Sequence, residues 1–271
     1  MIKKYTISSN NKVRLKDYDP EDTNGFAKED IAGEYASMLE NFAELQEALY
    51  ASRQKGILIL LQGMDCSGKD GAVRNVLASV NPAGVVVENF KTPTPEELGH
   101  DYLWRVHAKM PRRGEIVVFN RSYYEDVLVT RVHKLIGGAV AARRFKEIRN
   151  FEKYLYANDI IVLKFFLHIS KDFQQEKLKD RLRTPDKNWK FSENDLKERE
   201  YWDKYQECYE DVLAHCSTQD SPWHVVPANR RWFRDYIILK VIVKTLKELD
   251  LIYPKLEGNL QALIDEVNAN E

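Results

Sequence analysis

The sequence predicts an α/β domain on a parallel sheet covered on both faces, with a helical, charge-rich insertion near residues 171–215. Short apolar runs alternate along the chain with longer segments of helical periodicity. The runs are continuously apolar rather than apolar at every second position, as strands buried on both faces are. A glycine-rich turn lies between one run and the helix that follows it.

In chain order, residues 1–27 are polar and turn-rich (Ser8-Ser9-Asn10-Asn11, Tyr18-Asp19-Pro20, Asn24-Gly25) and read as an N-terminal arm. From 28 to 53, Ile31, Tyr35, Met38, Leu39, Phe42, Leu45 and Leu49 fall at steps of 3 and 4, one helical face. That face either packs on the domain or forms a dimer seam. Buried strands are expected at 56–61, 85–87, 115–119, 160–167 and 223–226, from their apolar runs. Helices are expected at 69–80, 95–109, 122–132, 141–158, 192–213 and 231–249, with a short amphipathic tail after Pro254. No internal repeat is visible, so the chain reads as a single domain, 1–271, with the 171–215 insertion.

Composition sets the outer bounds. The 271 residues carry 41 Lys plus Arg and 42 Asp plus Glu, a net charge of −1, which argues against a broad basic nucleic-acid surface. Cys66, Cys208 and Cys216 show no CxxC spacing and leave an odd thiol, as suits a reducing compartment. The N-terminus lacks an apolar h-region, and no apolar stretch has the length of a membrane span. A cytoplasmic protein with no membrane partner is expected.

The strongest chemical signal is Gly63-Met64-Asp65-Cys66-Ser67-Gly68-Lys69-Asp70-Gly71, a GxxxxGK turn between apolar strand and amphipathic helix. Gly63, Ser67, Gly68 and Gly71 let the backbone curl around a phosphate, the helix N-terminus adds positive potential, and Lys69 reaches phosphoryl oxygens. Asp70 stands where such loops usually place a metal-binding Ser or Thr, and Asp65 is a second carboxylate inside the turn. A carboxylate at Asp65 makes sense as a metal ligand or as a proton acceptor, and Asp70 is counted with the phosphate-binding residues of the loop.

A second signal is the strand end Phe119-Asn120-Arg121, followed by Glu125 and Asp126. Asn120 occupies the place of an expected acid, Arg121 can grip a transferring phosphoryl group with its planar fork, and Glu125 or Asp126 can restore the missing charge. The alternative is that these two acids only favour a helix start. A third signal is Lys177, Lys179, Arg181, Arg183, Lys187 and Lys190 against Asp180 and Asp186, +4 over fifteen residues. It is either a solvated helix face or, beside a phosphate loop, a cationic lid. His100 and His107, with Trp104 between, read as packing residues, and Tyr201, Trp202 and Tyr205 as core. Cys66 reads as an incidental small side chain or an oxidation sensor.

Five ordered blocks, Gly63–Gly71, Phe90–Arg105, Phe119–His133, Arg181–Tyr205 and Pro222–Asp235, together resemble the family-2 polyphosphate kinases. The resemblance implies a three-layer α/β/α P-loop kinase fold with a helical lid. It implies Mg²⁺-dependent phosphoryl transfer between inorganic polyphosphate and nucleoside mono- or diphosphates, in a cytoplasmic and often oligomeric enzyme. Carried onto this chain, Asp65 is a metal and catalytic carboxylate, Lys69 and Arg121 are catalytic, and Arg181, Lys187, Lys190 and Arg231 hold the polyphosphate. Asn120, Arg121 and Glu125 would contact the nucleotide, adenine or guanine. Asn120 resembles the subgroup that accepts both AMP and ADP, and Asn229 replaces an acid common in the late motif. An ATP-dependent small-molecule kinase and a non-catalytic nucleotide switch remain the competing readings.

Overall fold

A computed structural model describes residues 1–8 and 12–269; Ser9-Asn10-Asn11 of the expected turn lie outside these. Five parallel strands form the sheet: β1 Gly56–Gln62, β2 Val85–Asn89, β3 Ile116–Asn120, β4 Ile160–His168 and β5 Trp223–Pro227, in the order β2-β3-β1-β4-β5. The helices are α1 Ile2–Tyr5, α2 Ala32–Ser52, α3 Lys69–Val76, α4 Pro95–Leu98, α5 Trp104–His107, α6 Val129–Val132, α7 Gly138–Ala157, α8 Lys171–Arg183, α9 Glu193–Glu200, α10 Trp202–Cys216, α11 Arg231–Lys247 and α12 Leu260–Ala269.

Register sorts the strand side chains into two layers. Ile59 and Leu61 of β1 and Val118 of β3 meet Val73 and Val76 of α3 and Ile238 and Ile242 of α11. Leu60 lies beside Lys164, and Lys164 beside Trp223, so these point to the opposite face, where Glu152 of α7 meets Lys164. Strands buried on both sides cannot alternate apolar and polar, hence the continuous runs. Helix α2 packs on α11 as a domain helix.

Four expectations change. The N-terminal segment is no loose arm: Tyr5, Ile7, Val13 and Leu15 are buried, and a Thr6–His224 bridge closes the β5 edge of the sheet. Strand β2 is the opposite edge, and its Val86 and Val87 are exposed, not buried. The spans 95–109 and 122–132 are not continuous helices. Each breaks into single helical turns, because Gly99 and Asp101 interrupt the first and Tyr123–Val127 winds as a 3₁₀ turn capped by Ser122. The span 192–213 divides at Tyr201 into an exposed α9 and a buried α10. Only 171–200 therefore overhangs the domain, while Trp202, Tyr205 and Tyr209 pack in the core and Tyr201 stays exposed.

Because Ile7 is buried and hydrogen-bonded through its backbone to Trp223 and Ser217, Ile7→Ala is expected to cost about 2–5 kcal/mol of stability by urea denaturation. A free arm would give a change within about 0.5 kcal/mol.

Candidate active site

The carboxyl ends of β1 and β3 sit side by side, and the turns leaving them build the site. After β1 the chain curls through 63–68 into α3. Gly68 has φ +88°, and a Cβ there would lie 2.1 Å from a guanidinium nitrogen of Arg234. Glycine is therefore required both by the backbone and by the close approach. The first N–H groups of α3 have no intrahelical partner and supply the positive end of its dipole. Lys69 is folded back on the loop, donating to the carbonyls of Gly63 at 2.8 Å and Met64 at 3.3 Å. Burial, then the neighbouring Arg121, pushes its ammonium below the usual lysine range.

After β3, Arg121 takes a left-handed φ of +63°, costly by about 1–2 kcal/mol for a residue with a side chain. Its backbone N–H donates to Leu61 at 3.1 Å and its guanidinium to Asp65 at 2.9 Å. Asn120 donates to the Asp70 carboxylate at 2.7 Å. The two unusual positions of the motif thus answer each other: the acid absent from the strand end is supplied by the loop. Glu125 does not line the open cavity. It lies beneath it, where burial raises its carboxyl above the ordinary value and Arg121 and Lys69 partly oppose that rise. Asp126 turns the other way, its carboxyl also raised by burial beside Arg144 and Arg105.

The overhanging segment closes the site from above. Buried Gln174 of α8 donates to the Asp65 carbonyl at 3.0 Å and accepts from Arg199 of α9 at 2.8 Å. Arg181 donates to Asp195 at 2.8 Å, and Lys187 to Asp180 at 2.8 Å. Asp195 lies near enough to Asp65 that, after burial, this like charge is what raises its carboxyl further. Asn229 holds the root of the segment, donating to Ser170, the residue that caps α8, and to Glu21.

These parts enclose an open cavity of about 670 Å³. Lys69, Asp65, Asp70, Gly68, Gly71, Asn120, Arg121, Arg181, Lys187, Lys190 and Arg231 line it as the sequence led one to expect. Gly63 and Ser67 lie behind it, Ser67 buried with its hydroxyl unpartnered among the described residues. Lys177 of the expected cationic run lines it too, and Arg74, Asn75 and Arg234 also do and were not foreseen. Arg74 follows Asp70 by one turn of α3, and Arg234 follows Arg231 by three positions, spacings the sequence does contain. Arg234 is buried, paired with Asp235 at 2.6 Å, and reaches the Ser67 carbonyl at 3.5 Å. Among the described residues the lining has nine cations, three carboxylates, and no aromatic or large aliphatic side chain.

No group of three or more His, Cys, Asp or Glu side chains gathers for a metal among the described residues. Asp65 and Asp70 both line the cavity, and their chemistry suits Mg²⁺, which binds through one or two carboxylates plus substrate phosphates. Cys66 lines the cavity, but burial raises its thiol to about 11, so it lacks the thiolate of an oxidation sensor. His100 stacks on Trp104 and His107 lies against Phe151 and Tyr154, so both pack.

Gly68→Ala is expected to weaken tripolyphosphate binding in calorimetry by at least about tenfold, with unchanged circular dichroism. Wild-type affinity would show that the loop does not depend on this close approach.

The profile of the polyphosphate kinase 2 family matches residues 26–253. An AMP/ADP-polyphosphate phosphotransferase of Meiothermus ruber is 45% identical over 267 residues, 98% of this chain and 100% of that one. An ADP-polyphosphate phosphotransferase of Rhodopseudomonas palustris is 44% identical, over 81% of this chain and 80% of that one. The crystal structure of polyphosphate kinase 2 from Arthrobacter aurescens superposes with a TM-score of 0.92 at 40% identity, covering 95% of this chain and 93% of that one. With a strand–loop–helix phosphate cradle, a cationic overhang and a match along nearly its whole length, the chain belongs to the polyphosphate kinase 2 family.

Proposed function

We propose that the 670 Å³ cavity holds the phosphates of both reactants, and that the enzyme moves a terminal phosphoryl group between inorganic polyphosphate and AMP or ADP. It is a polyphosphate-dependent nucleotide phosphotransferase. The observation that carries the choice of donor is the lining itself. Nine cations with no aromatic or large aliphatic side chain suit a chain made of phosphates alone, gripped along its length by charge. The relative named for both AMP and ADP, together with Asn120, supports a dual acceptor range.

In the forward reaction an acceptor phosphate oxygen attacks the terminal phosphorus of the chain. The bond to the bridging oxygen breaks, and polyphosphate leaves one unit shorter. The attacking group is a phosphate whose second pKa is near 6, so at neutral pH it is already ionised and needs no general base. Asp65 accordingly orients Arg121 and offers its remaining oxygen to a metal, rather than taking a proton. Both reactants are polyanions, so catalysis rests on position and charge. Lys69 and the α3 N-terminus hold phosphate oxygens, Arg121 neutralises charge on the transferring group, and Arg181, Lys187, Lys190 and Arg231 grip the chain. Enzymes of this family generally need a divalent metal. We assign Mg²⁺ to Asp65 and Asp70, which would hold it, and there it would supply positive charge against the phosphates. The cytoplasm is the compartment that three unpaired thiols favour.

Incubation with polyphosphate and AMP, ADP, GMP or GDP, with no ATP present, is expected to yield new nucleoside triphosphate from at least the adenine acceptors. Failure with all four, alongside activity on ATP and a small alcohol, would establish the ATP-dependent kinase instead. Lys69→Ala is expected to lower kcat by well over tenfold, since a charge-assisted contact is worth about 1.5–3 kcal/mol. EDTA is expected to abolish turnover and Mg²⁺ to restore it; turnover that persists in EDTA would remove the metal role of Asp65 and Asp70.

A further inference from the structure

Behind the site, on the sheet face away from α3 and α11, lies a buried polar network that phosphate binding does not use. Glu152 of α7 and Lys164 of β4 are 2% and 0% exposed and form an ion pair at 2.5 Å. One Glu152 oxygen accepts from the hydroxyls of Tyr123 and Tyr124, at 2.8 and 2.7 Å. The other accepts from Lys164 and from Ser221 Oγ at 3.2 Å. Lys164 also donates to the Cys216 carbonyl at the end of α10, at 2.6 Å.

Stability does not account for this arrangement. Taking two charges out of water is costly, and buried pairs replaced by apolar residues of like volume are often as stable or more so. What the network does uniquely is fix directions, because each donor must aim at one carboxylate. Two of those donors, Tyr123 and Tyr124, are the second and third residues after Arg121. Arg121 holds a φ of +63°, a conformation that persists only when the chain is pinned on both sides. On the upstream side β3 pairs Asn120 with Leu61, and the Arg121 N–H bonds Leu61. On the downstream side the pins are the two tyrosine hydroxyls on Glu152, with Ser122 capping the Tyr124 N–H at 3.2 Å.

We infer that Glu152 and Lys164 are positioning residues that hold Arg121 in its left-handed conformation, with its guanidinium on Asp65. The inference rests on the role of Arg121 proposed above, and Arg121→Ala tests that role by itself. The decisive measurement is a double-mutant cycle on the full chain. Glu152→Met with Lys164→Met removes both charges at similar volume. This variant takes the carboxylate from the Tyr123, Tyr124 and Ser221 hydroxyls and is expected to melt below the wild type while staying folded at assay temperature, and to lose at least about tenfold in kcat with KM for polyphosphate changed less than about threefold. In an Arg121→Ala background the same pair of replacements is expected to change kcat by less than about twofold. Tyr123→Phe with Tyr124→Phe keeps the ion pair intact and reads the same cycle if the methionine variant does not fold. An equal loss with and without Arg121, or wild-type kcat in a folded network variant, overturns the inference. Wild-type kcat in Arg121→Ala would remove the role of Arg121 itself, and the inference with it.

Discussion

Crowding of like charge governs this molecule. Nine cationic side chains face one cavity, and bringing them together without a ligand costs repulsion that the fold must offset. It does so with nearby carboxylates, Asp65 on Arg121, Asp180 on Lys187, Asp195 on Arg181 and Asp235 on Arg234. It also roots the cations in four different elements, α3, the turn after β3, the overhanging segment and α11. The net charge of −1 is then no paradox: the positive field is focused inside a protein balanced elsewhere by acids.

The loop chemistry follows from the same constraint. A phosphate cradle with Asp70 after the lysine and Asp65 within the turn would repel its ligand if those acids were bare. Asp65 instead faces Arg121 and Asp70 faces Asn120. An acid at position 120 would have set two carboxylates against each other at that distance. The amide instead donates to Asp70, so the two departures from the usual motif meet in one hydrogen bond.

The sheet, its parallel sense and the phosphate turn were legible because they depend on patterns internal to a segment: continuous apolar runs, and glycines at fixed spacing. What escaped depends on distant partners. The stretches at 95–109 and 122–132 carry apolar residues at helix-like steps (Leu98, Tyr102, Leu103 and Val106; Val127, Leu128 and Val132), yet tertiary packing accommodates them in single turns. The N-terminal residues looked too polar to pack, but four apolar side chains suffice to close a sheet edge. Arg234 was hidden within an otherwise apolar helix, and only its contact behind Gly68 places it at the site. Nor does the sequence show which of two consecutive acids turns inward; the 3₁₀ turn sends Glu125 beneath the loop and Asp126 towards Arg144.

The pairing of Arg181 with Asp195 has a consequence for how a long anion is held. The cation is already neutralised before any ligand arrives, so in the role proposed for Arg181 binding would be an exchange of one anion for another. The same holds at Lys187 with Asp180. Much of the counter-ion that a phosphate chain would displace there is therefore the protein's own carboxylate, which does not escape into solution. Affinity should fall with salt less steeply than the number of cations implies. A short phosphate, able to compete at only one such pair, gains far less than a chain that displaces several acids at once.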